Sequence, residues 1–276
     1  MKKILIPIDF SELSDYAISI AQEIQAKTNA ELVCLNVIQV GKDAMFNHDG
    51  TLSKSNDFDI AAFENQKVNN EAKMQAFLAD VKNANGVVRI GNIESDILHC
   101  EKDEAVDLII MGTHGSDGLA QQLSGTIADK IIRLANAPVI SLKCKRETAE
   151  FKDILLAGDF NPPVKDNIEQ LKELVAIFGA KLHLLRVNTI FNKDAKEVIE
   201  HNMDQYCELN DIENADFHIV EAKSVEAGIS EFAEKNNIEF IAIGSRGRMG
   251  ISAFFNGCVS ADLVNHLFKP VFTFRA

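Results

Sequence analysis

Apolar residues occur along this chain in two alternating patterns: short continuous runs, and longer stretches in which they recur every three or four positions. The run at residues 4–8 is followed by apolar residues at 13, 17, 21 and 24, a helical spacing, and then by a second run that ends at Leu35-Asn-Val37. Runs near residues 87–90, 106–111 and 139–142 indicate three further strands. Because strands alternate with helices, the pattern predicts an α/β fold with right-handed crossovers and a parallel sheet covered on both faces.

The whole pattern occurs twice. The stretch Lys3-Ile-Leu-Ile-Pro-Ile-Asp-Phe10 returns 150 residues later as Asp153-Ile-Leu-Leu-Ala-Gly-Asp-Phe160, so that Asp9 corresponds to Asp159. Farther along, the offset becomes 132. Other matched pairs are Asn29 with Gly179, Leu35-Asn-Val37 with Leu185-Arg-Val187, Met111-Gly-Thr-His-Gly115 with Ile243-Gly-Ser-Arg-Gly247, Gly125 with Gly257 and Pro138 with Pro270. Asn29 and Gly179 both tolerate the left-handed conformation expected at a helix end. The chain is therefore predicted to be a tandem duplication, with domains at residues 1–146 and 150–276.

The two halves differ between their second and third strands, where the change of offset leaves the first half 18 residues longer. The extra segment is read as an insertion beginning at residue 41 and continuing as a polar stretch to residue 57. A segment of this length is either a lid over a ligand or an ordinary surface loop, and the surface loop is favoured. The join between the two halves is placed within the short, charged stretch 145–151.

The net charge of −13 is spread evenly, since residues 1–150 hold 15 basic and 22 acidic side chains and the remainder hold 13 and 19. No basic face is indicated, so nucleic acid is not an expected partner. No apolar run approaches the length of a membrane span, and the run at the N-terminus is too short for a secretion signal. Five scattered cysteines without a Cys-x-x-Cys pair fit neither a disulfide framework nor a zinc site. A cytoplasmic protein is expected.

A glycine-rich turn, Met111-Gly-Thr-His-Gly-Ser-Asp-Gly-Leu-Ala-Gln-Gln-Leu-Ser-Gly-Thr126, joins the predicted fourth strand to a helical pattern. Gly112 and Gly115 can adopt backbone angles closed to other residues and leave no side chain between their amides and a ligand. Gly125 and Thr126 stand where a helix begins, and there unpaired amides and the helix dipole favour an anion. The turn therefore predicts a phosphate site, although its spacing is neither Gly-x-Gly-x-x-Gly nor a Gly-Lys-Ser/Thr loop.

Three separated stretches, residues 3–11, Leu35-Asn-Val37 and the glycine turn, resemble the universal stress protein family. That family is known for small α/β domains, many of which bind ATP. The resemblance implies two doubly wound domains, each a five-stranded parallel sheet of order 3-2-1-4-5. It places the adenine and ribose near Asp9 and the Val37 backbone, and the phosphates near Gly112, Gly115, Gly125 and Thr126. It also implies that the halves pair through their fifth strands as an intramolecular pseudo-dimer, and a homo-oligomer of the whole chain stays open.

Each candidate residue has a plainer explanation. Asp9 precedes a predicted helix start at Ser11, where aspartate is a common cap or turn residue. Val37 is a buried-type strand residue whose assignment depends wholly on the resemblance. Asp117 would repel a phosphate unless it faces solvent or meets Mg²⁺ through water, so Mg²⁺ stays open. No two of the seven histidines have metal-ligand spacing in the sequence, and no metal ligand is assigned.

The expected ligand is ATP or another adenine nucleotide, and the expected function is a stress-response regulator or interaction module whose nucleotide occupancy changes its stability or its partners. No protein partner is identified. An enzyme has little support, because no nucleophile with an adjacent base is visible. A nucleotide-independent interaction scaffold and a slow ATP-hydrolysing enzyme of the same fold are the alternatives.

The second half is expected to be the weaker nucleotide site. Cys258 replaces Thr126 and exchanges a good hydroxyl donor for a weak thiol donor. Two phenylalanines, at 254 and 255, replace Gln122 and Leu123 on the approach to the loop. Arg246 and Arg248 act in the opposite sense, because their positive charge could attract phosphate or another anion.

Overall fold

The computed structural model describes residues 1–40, 60–113, 127–145, 150–165, 168–244 and 269–275. The first half alternates strands and helices throughout. Its elements are β1 (Lys3–Pro7), α1 (Glu12–Thr28), β2 (Glu31–Gln39), α2 (Ile60–Phe77), β3 (Ala84–Gly91), α3 (Ile93–Asp103), β4 (Leu108–Gly112), α4 (Ile127–Leu134) and β5 (Val139–Leu142).

The second half repeats this order within its described residues. Its elements are β6 (Asp153–Ala157), α5 (Glu169–Phe178), β7 (Lys181–Asn188), α6 (Lys196–Leu209), β8 (Asp216–Glu221), α7 (Val225–Lys235), β9 (Phe240–Gly244) and β10 (Val271–Phe274). The bounds follow the two offsets, because β1 and β6 are 150 residues apart while β4 and β9 are 132 apart.

The ten strands within the described residues form one sheet, in the order β3-β2-β1-β4-β5-β10-β9-β6-β7-β8. Within each half the paired neighbours are parallel, and each half has the predicted order 3-2-1-4-5. The two fold-class predictions, α/β architecture and doubly wound halves, are therefore confirmed. The two five-stranded sheets are also continuous with each other.

The halves join through their fifth strands, as predicted. β5 and β10 are antiparallel, with Phe272 opposite Ile140 at the centre of the pair. The hydroxyl of Ser141 donates to the Val271 carbonyl at 3.2 Å, and the hydroxyl of Thr273 donates to the Val139 carbonyl at 3.2 Å. Because this junction is antiparallel, the strands of the second half run opposite to those of the first.

Two apolar cores cover the two faces of this sheet. One face packs against α1, α2, α5 and α6, with Ala17 and Leu171 among its fully buried residues. The other face packs against α3, α4 and α7 through residues such as Ile97, Ile131 and Ile229. Both faces of the sheet are buried, which explains why its strands are continuous apolar runs and do not alternate between apolar and polar residues.

Matched positions adopt matched backbone conformations. Asn29 ends α1 with φ 57° and Gly179 ends α5 with φ 59°, which confirms the predicted left-handed helix ends. Phe10 and Phe160, which follow the paired aspartates, also have positive φ, at 63° and 53°. Few residues of this size adopt such angles, so their recurrence reflects the shared local structure of the two halves.

Some sequence predictions fall outside the described residues. The polar segment at 41–57 is one of them, and the centre of the join between the halves, residues 146–149, is another. Among the helices that the structure describes, none combines the length and the apolar content required to cross a membrane.

Candidate functional site

A crevice is expected where β1 separates β2 from β4. The chain proceeds from β1 to β2 and β3 on one side, then returns to place β4 and β5 on the other, and ligands of such sheets bind beyond the carboxyl ends of the strands at this reversal. β1 is paired in parallel with β2 and with β4. Continuing both registers past Pro7 brings Asp9 level with Val37 and with Thr113, next to Gly112. The three predicted site residues that the structure describes therefore lie on or just beyond three adjacent strands, β2, β1 and β4.

Asp9 organises the turn between β1 and α1. Its Oδ1 accepts hydrogen bonds from the Ser11 amide at 3.0 Å, the Ser11 hydroxyl at 2.5 Å and the Ser14 hydroxyl at 2.7 Å. Ser11 is the residue before α1, and its own side chain makes no capping hydrogen bond. The plainer explanation, an aspartate that fixes the helix start, therefore holds. Asp9 is also exposed at the end of its strand, so the turn role does not remove it from the crevice.

The Val37 side of the crevice is supported by two asparagines that sequence reasoning missed. Val37 is half-buried on β2, while its neighbour Asn36 is 6% exposed. The Asn36 amide donates to the Ile8 carbonyl at 2.7 Å, and its Oδ1 accepts from the Asn70 amide at 2.8 Å. These bonds tie the residue that follows β1 and the middle of α2 to β2. The sequence signal that could have revealed this network is Asn36, a polar residue within the apolar strand β2.

Gly112 is the last residue of β4 and pairs with Leu142 of β5. It therefore has strand geometry, and among the described glycines the left-handed region is occupied by Gly179. Gly112 therefore does not use the backbone angles that are closed to other residues, and what it can offer a ligand is the absence of a side chain. The next residue, Thr113, continues the pairing through its amide, which donates to the Leu142 carbonyl at 2.8 Å.

The remaining predicted site residues, Gly115, Gly125 and Thr126, lie outside the described residues, as do His114 and Asp117. Their predicted place in the chain is nevertheless bounded by described structure. β4 ends at Gly112 and α4 begins at Ile127, so the glycine turn connects a strand to a helix as expected.

Comparison with known proteins identifies the fold and the duplication together. A model of the universal stress protein family matches residues 1–143 and, a second time, residues 150–275. The chain belongs to the universal stress protein family. A universal stress protein of Methanocaldococcus jannaschii is 31% identical over 159 residues, which cover 52% of this chain and 96% of that protein.

Solved structures share the tandem architecture along the whole chain. A universal stress protein from Archaeoglobus fulgidus has a TM-score of 0.72 at 20% identity, covering 99% of this chain and 96% of its own. A Pseudomonas aeruginosa protein described as functionally unknown has a TM-score of 0.67 at 18% identity, covering 100% of this chain and 92% of its own. At these identities the likeness establishes the fold of a tandem universal stress protein.

The second universal stress domain arranges its polar groups differently at the matching crevice. Arg186 stands at the position of Asn36 and is 2% exposed. Its Nη2 donates to Asn192 Oδ1 at 2.6 Å and to Asp194 Oδ2 at 2.9 Å. Asp159, the counterpart of the first-domain aspartate, has a pKa raised above its usual value, chiefly because burial disfavours its charged form.

Sequence spacing gave no metal ligands, yet the structure brings two histidines of the second domain together. His183 on β7 and His218 on β8 are 35 residues apart in sequence, and their nearest ring nitrogens are 3.0 Å apart. No sequence motif signals this pair, because strand pairing and register create it.

Proposed function

We propose that this universal stress protein binds an adenine nucleotide, with ATP as the first candidate, in the crevice of its first domain. The observation that carries the proposal is the strand order, which puts the chain reversal between β1 and β4. Gly112 ends β4, Asp9 follows two residues after the end of β1, and Val37 is on the adjacent β2. Family membership supports the same site. In this proposal the adenine and ribose lie near Asp9 and Val37, and the phosphates lie against Gly112, Gly115, Gly125 and Thr126, with Mg²⁺ as an optional bridging ion.

The proposed role is regulatory. A nucleotide stabilises the protein conformation that it binds more tightly. It can change the choice of protein partner only if its affinities for the two conformations differ. We propose a cytoplasmic stress-response protein whose occupied and empty forms differ in stability or in protein partner. A catalytic role is not proposed, since the contacts among Asp9, Ser11 and Ser14 form a helix-start turn and no nucleophile with an adjacent base is assigned.

Calorimetric titration of the full chain with ATP, AMP and GTP tests the binding. Absorbance gives a second test, because the chain contains no tryptophan and two tyrosines and so absorbs weakly near 280 nm. Co-purified nucleotide should move the absorbance maximum toward 260 nm, and the shift should disappear after denaturation and filtration. No binding heat together with an ordinary protein spectrum would favour the nucleotide-independent scaffold; turnover of added ATP would favour the slow hydrolase.

We further propose that the second domain is the weaker nucleotide site. Three features support this: Asn161-Pro-Pro163 replaces Ser11-Glu-Leu13 beside Asp159, Arg186 is already paired with Asp194, and Cys258 replaces Thr126. The ion pair with Asp194 offsets positive charge that Arg186 would otherwise offer a phosphate. The domains, taken as residues 1–146 and 150–276, would therefore be similar in fold and unequal in binding.

A further inference from the structure

A cluster of polar side chains lies at the amino ends of β6, β7 and β8, away from both crevices. His183 of β7 is opposite Asp216 of β8, and His218 follows two residues later on the same face. His183 Nδ1 is 3.0 Å from His218 Nε2. One ring nitrogen of each histidine and one carboxylate oxygen of Asp216 all lie within 4.8 Å of one another. The second-domain crevice is at the opposite ends of these strands, and three strands, β5, β10 and β9, lie between the cluster and the first-domain crevice.

The carboxylate of Asp153 orients His183. His183 Nε2 is 2.9 Å from Asp153 Oδ1. An ionised carboxylate can accept and not donate, so His183 carries its proton on Nε2 and presents the Nδ1 lone pair toward His218. A histidine that donates one ring N–H to a carboxylate while its other nitrogen is a ligand is the usual outer-shell arrangement of protein metal sites.

The fold does not require histidines at these positions. Strands β2 and β3 of the first domain pair in the same register as β7 and β8 of the second. In the first domain, Val33 is opposite Asn85 and Leu35 is opposite Val87. His183 and His218 thus occupy the places of Val33 and Val87 against the same sheet face. Because two valines occupy these positions in the first domain, packing does not explain the two histidines of the second domain. Their ring nitrogens provide metal-binding groups that valine lacks.

Aromatic and charged side chains surround the three donors. The His218 ring packs 4.7 Å from the Phe232 ring. Lys181 Nζ is 2.5 Å from Asp216 Oδ2. Counting Asp153, Asp216 and Lys181, the immediate surroundings carry a net charge of −1 when both histidines are neutral.

We propose that His183, Asp216 and His218 bind a divalent transition-metal ion, with Zn²⁺ as the ion that the donor set fits best. Two imidazole nitrogens and one carboxylate oxygen are typical zinc ligands, and a three-residue set leaves a fourth position for water. Two nitrogens bound to tetrahedral zinc at about 2.0–2.1 Å are about 3.3 Å apart, close to the separation of the two ring nitrogens. β8 is the terminal strand of the described sheet, which leaves Asp216 and His218 partly exposed for an ion to enter.

Calorimetric titration of the metal-stripped full chain with ZnCl₂ tests the proposal. We expect one ion to bind per chain and the melting temperature to rise with zinc concentration. The variant carrying both His183→Val and His218→Val, which copies the first-domain residues, should fold and lose this binding. The matched control His201→Asn, at an exposed histidine on α6, should bind zinc as the parent does.

Two further variants separate a metal site from a hydrogen-bonded histidine pair. Asp153→Asn should weaken zinc binding about 10- to 100-fold, the usual effect of losing an outer-shell carboxylate. Lys181→Ala removes a competing positive charge from Asp216 and should tighten zinc binding, which a simple histidine pair would not produce. Absence of stoichiometric zinc binding by the parent, or equal binding by the double-valine variant, overturns the assignment.

Cobalt provides an independent check against the cysteines. Co²⁺ bound to thiolate absorbs strongly in the near ultraviolet, whereas histidine and carboxylate ligands give visible ligand-field bands alone. The visible bands are expected for the parent and for His201→Asn, and they should be absent from the double-valine variant. A thiolate spectrum in the parent would place the bound ion at a cysteine and would also overturn the proposal.

Discussion

At the scale of single residues, Asp9 shows how one carboxylate can serve the fold and leave a binding role open. Three hydrogen bonds to its Oδ1 fix the start of α1, and Phe10 between them takes a left-handed conformation with φ 63°. That conformation is unfavourable for a phenylalanine and persists because the hydrogen bonds around it determine the turn. The exposed position of Asp9 at the end of β1 follows from the same turn.

The cost of losing these hydrogen bonds can be measured. Asp9→Ala removes an acceptor used by Ser11 and Ser14 and should lower the free energy of unfolding by about 1–3 kcal/mol, while Asp9→Asn, which keeps a neutral acceptor, should lower it less. Glu23→Ala, at an exposed position of the same helix, should change it by no more than about 0.5 kcal/mol. Urea denaturation followed by circular dichroism measures all three; equal stability of Asp9→Ala and the parent would refute the turn role.

Asp159, the matching residue of the second domain, should make the folded protein less stable as the pH rises, whereas a stabilising carboxylate would make it more stable. Burial raises the pKa of Asp159 above the unfolded value of about 3.8, so the folded protein binds more protons, and stability declines as the pH rises through the folded-state pKa. Asp159→Asn removes this charge and should raise the melting temperature at pH 7. Below pH 3.8 the carboxyl is protonated in both states, and the advantage should vanish there. An Asp159→Asn advantage that is constant from pH 3 to pH 7 would contradict this account.

At the scale of helices and strands, the sequence predicted which elements form and was less accurate about where they begin. The fourth strand was predicted from residue 106, but β4 begins at Leu108. Ala105 takes φ 50°, and Asp107 Oδ2 accepts hydrogen bonds from the amides of Lys2 and Lys3, so both residues belong to a turn. The spacing of apolar residues cannot predict these hydrogen bonds, because they join residues more than a hundred positions apart in the sequence.

Helix ends were predicted more accurately, since the conformation there depends on local residue type. The end of α5 at Gly179 offers a test, because a Cβ added at that position would meet no atom within 4 Å. Gly179→Ala should therefore cost about 1–2 kcal/mol through the left-handed backbone alone. Gly179→Asn, which copies Asn29 of the first domain, should cost less. Chemical denaturation of both variants measures these costs. If Gly179→Ala stabilised the protein, the lower conformational entropy of the unfolded chain would outweigh the strain of the left-handed backbone.

At the scale of the whole molecule, the antiparallel pairing of β5 with β10 makes two domains into one ten-stranded sheet. Contacts outside the sheet support the junction: the N-terminal amino group lies 2.5 Å from Glu173 on α5, and Arg275 Nη1 donates to Asn136 Oδ1 at 3.0 Å. The pairing was expected from the family resemblance. Neither the register of these strands nor the meeting of His183 with His218 could be obtained from residue spacing, because both depend on how separate strands align.

This arrangement also separates the two crevices. The strands of the two halves run in opposite directions, so their carboxyl ends, and the crevices beyond them, open at opposite ends of the sheet. Occupancy of one crevice therefore need not obstruct the other. The two domains can diverge in their ligands while the shared sheet keeps their folds alike.

The expected divergence is that ATP binds to the first domain more tightly than to the second. In the full chain, Gly115→Val and Gly125→Val place side chains over the amides assigned to phosphate, whereas Gly247→Val and Gly257→Val are the matched changes in the second domain. Each lost hydrogen bond to a charged phosphate should cost about 1.5–3 kcal/mol, roughly a ten- to hundredfold loss of affinity.

Calorimetric titration with ATP should show this loss in the first pair of variants and parental affinity in the second. Melting curves without nucleotide show whether each variant folds as the parent does. A loss confined to the second pair would assign the principal site to the second domain, where Arg246 and Arg248 would then supply the charge that attracts phosphate.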